Sequence, residues 1–208
     1  MNRLRTPLRI VRAGIRPYLA LTALLYGVCL VGFGLALVFP ELTADRVTEL
    51  EEGGTADLVI ALMSNVWLFA LVTLAMNLLH FGGLSIVLPS MIVPFAGIAI
   101  AAYRAFIIGT TLTPTDEAGW VILIPHTLTW ILEFQAYVLL SLGAYLLGRA
   151  WLRPASVGAP NRRQAYLHGL RQLGWLSLPA SVLLVVGAVY EAFSLVYLIG
   201  PLQNLLLG

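Results

Sequence analysis

Three ionisable side chains stand where the sequence is otherwise apolar: Arg104, Glu133 and Glu191, with His126 near the start of the run that holds Glu133. A charge at the centre of a bilayer costs about 2.5 to 3.5 kcal/mol on insertion scales, so each must face protein, water or an opposite charge. Counted along helices at ~1.5 Å per residue, Arg104 and Glu191 fall at about the same depth, which makes an ion pair between them the first expectation. The long arginine stem could instead reach Glu133, leaving Glu191 with His126. His126 and Glu133 are seven residues apart and so differ by only about 20° around a helix, which gives them a common face for a relay or a ligand pair. Four readings of this intramembrane polar cluster stay open: a lock that fixes helix order, an ion or proton path, a partner-binding site, and catalysis.

The segments that must position these residues follow from hydropathy. Of 208 residues, 60% are apolar and 11% charged, and mean hydropathy is +0.90; soluble domains carry about a quarter charged residues. A span needs about 20 apolar residues. Five such runs, at about 18–39, 58–79, 84–112, 120–147 and 175–199, predict an all-α, polytopic transmembrane helical bundle. The expected divisions are a basic amphipathic segment (1–17), one transmembrane domain (18–200) and a short outer tail (201–208). His80-Phe81-Gly82-Gly83 is read as the break between the second and third runs, and Pro89 and Pro94 should kink or interrupt the third. In that third run Gly97, Ala101, Ala105 and Gly109 recur every four residues, a small-residue stripe that lets helix backbones touch and suggests a central position for the helix.

Orientation follows from arginine, the only basic residue type in the chain besides histidine. Ten of the twelve arginines precede the first run or fill the link between the fourth and fifth, which places the N-terminus in the cytoplasm and the C-terminus outside. Leu4, Leu8, Val11 and Ile15 form an apolar stripe beside Arg5, Arg9, Arg12 and Arg16, the pattern of an interfacial helix on anionic lipid. The first run is too long for a signal core and reads as an uncleaved anchor. Asn161 to Leu173 reads as a second surface helix. The loop after the first run is acidic, with Glu41, Asp45, Glu49, Glu51, Glu52 and Asp57.

Enzyme signatures are absent from the sequence. Gly83-Leu84-Ser85-Ile86 begins like a nucleophile turn but lacks its closing glycine. No HExxH helix, Walker lysine or dinucleotide fingerprint occurs. The single cysteine, Cys29, excludes an intrachain disulfide and a cysteine metal cluster. No metal, cofactor or nucleic-acid partner is expected.

Leu123-Ile124-Pro125-His126, Glu133-Phe134-Gln135-Ala136, Ser141-Leu142-Gly143, Leu147-Gly148 and the segment Val186 to Phe193 around Glu191 together resemble the stage II sporulation protein M family, as does Asn65 at the second run. Thr127 departs from the family's glycine after the histidine, and Glu133 lies one turn further on than the family places it. The resemblance implies a non-enzymatic integral membrane scaffold of the prokaryotic plasma membrane that recruits membrane or envelope proteins, with a homo-oligomer also compatible. The alternative is a small transporter or permease-like subunit whose site uses the intramembrane carboxylates.

Overall fold

The computed structural model describes residues 5–207, with the side chains of 55–57 excepted. Arg3 and Leu4 of the N-terminal segment, Gly208 of the tail and the side chain of Asp57 lie outside the described residues. The order is α1 (Thr6–Ala13), α2 (Ile15–Val38), α3 (Glu41–Glu52), α4 (Thr55–Leu62), α5 (Val66–Ala75), a first π-helical segment (Met76–Val87), α6 (Leu88–Ile92) and α7 (Ala96–Thr111). Then come α8 (Glu117–Leu152), a 3-10 turn (Pro154–Val157), α9 (Arg162–Phe193), a second π segment (Ser194–Leu198) and α10 (Ile199–Leu207). Four continuous helices, Ile15–Val38, Val66–Ile92, Glu117–Leu152 and Arg162–Leu207, are long and apolar enough to cross a membrane; α7 is a shorter apolar helix among them. The protein is a membrane-embedded all-α bundle of four to five spans.

Side-chain caps set several helix starts. Asn65 accepts from the amides of Trp67 and Leu68, both at 3.1 Å. Asp116 accepts from Gly119 at 2.7 Å and Asn161 from Gln164 at 2.9 Å. Each satisfies an otherwise orphaned first-turn donor. The second span therefore begins at Val66, and the expected start at 58 is corrected: residues up to Leu62 belong to α4, and the acidic loop is helical as α3 and α4.

The expected break at His80 to Gly83 is also corrected, because the helix runs through it in π form and turns only at Val93 to Phe95. The Ser85 hydroxyl donates to the carbonyl of His80 at 2.9 Å, five residues back, matching the π repeat. Pro94 withholds the amide that would continue the helix, and Phe95 adopts φ 68°, the one described non-glycine residue in the left-handed region. Its ring is seated on Gly148, where a Cβ would lie 2.8 Å from Phe95 Cε1. Tyr166 then donates to the carbonyl of Met91 at 3.0 Å, near the end of the interrupted helix. Further along, 161–173 forms the first turns of α9 and not a separate surface helix, and 201–207 continues as α10.

The central helix is α8, which corrects the expectation for the third run. Ala136, Val138, Leu142, Ala144, Leu147 and Ala150 are wholly buried. Its main partner is α9, brought close where a Cβ on Gly143 would stand 2.9 Å from Leu173 Cα and one on Gly169 2.7 Å from Leu147 Cα. The α7 stripe sits at backbone contact elsewhere: a Cβ on Gly109 would fall 2.1 Å from the carbonyl oxygen of Cys29 in α2, and one on Gly97 2.0 Å from that of Ile86. Ala101 and Ala105 are buried between them. Meanwhile α5 packs on α9, through Phe69, Ala70 and Ala192. The two strokes joined at Val93 to Phe95 thus part toward the α3 end, one leaning on α9 and the other on α2.

Candidate functional site

That parting leaves a cavity of about 320 Å³ between the first π segment, α7 and α8, with α3 at its mouth. Arg46 and Glu49 of α3 form an ion pair there, one turn apart. Deeper walls are aromatic, from Phe81, Trp130, Phe134 and Tyr137, and the polar groups reached are Asn77, His126 and Glu133. A smaller pocket continues beyond Phe81, Phe134 and Tyr137 to Arg104.

Each polar side chain is placed by a local feature of the sequence. Pro125 lies inside α8, and seven residues separate His126 from Glu133, so both face the side toward α9. The Glu133 stem packs on Gly187, where a Cβ would lie 3.4 Å from Glu133 Cγ. Glu191 follows Gly187 by one turn and so reaches the same interface. The Asn77 amide donates to Glu133 Oε1. His126 Nε2 stands 4.0 Å from Glu191 Oε1, with the two side chains 18% and 17% exposed, beyond direct hydrogen-bond length. His126 Nδ1 and the buried hydroxyl of Thr129, one turn on, have no partner among the described residues. Buried polar atoms are normally satisfied, so these orphans leave hydrogen-bonding capacity beside two carboxylates.

The expected Arg104–Glu191 pair is not formed. Arg104 Nη2 lies 2.7 Å from His80 Nε2, and the guanidinium stacks 4.1 Å above the centre of the Phe81 ring. An arginine can only donate, so Nε2 of His80 is the acceptor in this contact. The reason lies in the packing: α7 rests on α2 and the first π segment, whereas α9 rests on α8 and α5. The other arrangement is realised only in its second half, with Glu191 beside His126 and Glu133 given an amide in place of the guanidinium.

Asn77, His80 and the aromatic wall were missed in the sequence reading, although a lone Asn three residues before a His within an apolar run was a visible signal. Asn65, part of the family resemblance, is a helix cap, and Gly143 and Gly148 of that resemblance make room for Leu173 and Phe95. At the opposite end Arg5, Arg9, Arg12 and Arg16 are exposed. The apolar stripe that runs from α1 into α2 is divided: Leu8 and Ile15 are exposed, while Val11 packs on the bundle. Among the described residues no group of three or more His, Cys, Asp or Glu is placed to hold a metal ion.

The fold and the site define a membrane-embedded helical protein with a carboxylate-bearing cavity between its spans. Comparison with family models, curated proteins and solved structures finds no match.

Proposed function

We propose that this protein is a small carrier or transport subunit that admits a cationic solute from outside to Glu133. The observation that carries the reading is a cavity walled by four aromatic rings and ending at a carboxylate whose described hydrogen-bond partner is a neutral amide. A buried carboxylate needs a counter-charge, and aromatic faces favour a weakly hydrated cation. The volume suits a small organic ion. Sidedness rests on the arginine-rich end facing the cytoplasm, which turns the α3 mouth outward.

Proteoliposomes supply the test. The wild-type protein should move tetramethylammonium down its gradient, and Glu133→Gln should slow this by about tenfold or more, the worth of one charge-assisted contact, while circular dichroism and elution volume stay unchanged. Equal flux from the folded variant would overturn the proposal.

A second reading is favoured by one observation: α3 exposes Glu41, Asp45, Glu49, Glu51 and Glu52 as an acidic surface. Such a face can steer a basic partner, as expected of a prokaryotic envelope scaffold resembling stage II sporulation protein M. Under that reading, reconstituted protein moves no solute, and replacing Glu41, Asp45 and Glu52 by Lys abolishes capture of a basic envelope protein.

A further inference from the structure

The end of the molecule away from the cavity carries charge of one sign. Nine described arginines gather where α1, the foot of α8 and the first turns of α9 meet, and all ten acidic residues of the chain lie elsewhere. Two cavities open at this end. One, of about 310 Å³, is bounded by the α1 to α2 corner, the 3-10 turn and α9, and is lined by Arg149, Ser156, His168 and Gln172 among its polar groups. The other, of about 350 Å³, is lined by Phe95, Tyr145, Leu152, Arg149 and Arg153. Arg149 lines both. Among the described residues neither Arg149 nor Arg153 has a carboxylate within ion-pair distance.

Depth narrows the class of anion. About 48 Å of helix separates Glu117 from Arg149 at ~1.5 Å per residue, which matches the ~40 to 45 Å between the two headgroup layers of a bilayer once a modest tilt is included. Arg149 thus stands at phosphate level. Leu152, which lines the second cavity with Arg149, is 55% exposed, apolar surface along which acyl chains can lie. An arginine fork matches phosphate oxygens in pairs. We infer that Arg149, assisted by Arg153 and His168, binds the phosphate of an anionic glycerophospholipid in these adjoining cavities. This site is independent of the cation reading, because it shares no residue with Glu133 and its surroundings.

The experiment is native mass spectrometry of the full chain from neutral detergent, titrated with phosphatidylglycerol, phosphatidylcholine or inorganic phosphate. Phosphatidylglycerol should remain bound and phosphatidylcholine should not. Arg149→Gln should weaken retention by about tenfold, as loss of one charge-assisted contact predicts, with Arg163→Gln, which lines neither cavity, within about twofold. Should Arg149→Gln fail to fold, Arg149→Lys should still weaken retention, because the paired geometry is lost while the charge remains. Equal retention of the two lipids, or equal losses from Arg149→Gln and Arg163→Gln, would overturn the site. Displacement of the lipid by millimolar inorganic phosphate would show a free-phosphate site instead and would equally overturn the lipid assignment.

Discussion

Asn77 gives Glu133 a donor that carries no charge of its own. An arginine in its place would close the site as a salt bridge, whereas an amide orients the carboxyl group and brings no opposing charge. Removing the amide should therefore be felt as an unsatisfied buried group. Asn77→Ala is expected to cost about 1 to 3 kcal/mol, read as a lower thermal midpoint in detergent, and Glu133→Gln in that background should recover part of the loss. Arg104 plays a different part. Held over Phe81 and against His80, it ties α7 to the first π segment at the pocket beyond the aromatic wall. The shared face of His126 and Glu133 was legible from their spacing alone. The partnership with Asn77 was not, because it depends on the π turn of the neighbouring helix, and residue types alone do not announce that repeat.

At the scale of elements, hydropathy located every apolar stretch but misplaced several boundaries, above all the one between the second and third runs. Residues 80 to 92 are as apolar as a span, so a glycine pair looked like a turn, while the true turn needed Pro94 together with a seat for Phe95 on Gly148. Gly82 and Gly83 instead lie within the wider helix, where a Cβ on Gly82 would stand 3.1 Å from Leu140 Cδ1. The small-residue stripe of α7 was readable as a packing surface, but its neighbours were not, since any helix accepts such a stripe. The structure makes α2 the partner at Gly109. Gly109→Leu must force the two backbones apart and should cost more than the about 1 to 3 kcal/mol usual for overpacking, whereas Gly27→Leu on the open face of α2, where nothing lies within 4 Å, should leave the thermal midpoint nearly unchanged.

The molecule is divided by charge, with nine of its twelve arginines at one end and the exposed carboxylates at the other. That division fixes an expectation about sidedness. With Cys29 replaced by Ala, a cysteine at Glu49 should react with a membrane-impermeant maleimide on intact cells, and one at Arg163 only after permeabilisation; the opposite pattern would reverse the direction in which the cavity opens. The all-α character of the bundle was legible in the long apolar runs. What hydropathy did not disclose was that its longest expected run would yield, in α7, an apolar helix shorter than the four long ones. At 16 residues, α7 rises only about 24 Å against ~30 Å of hydrocarbon. Lipids bordering it must compress or tilt to meet it, at a fraction of a kcal/mol for each ångström. Along that flank a thin bilayer should fit best, and the thermal midpoint of the reconstituted protein is expected to change with acyl-chain length.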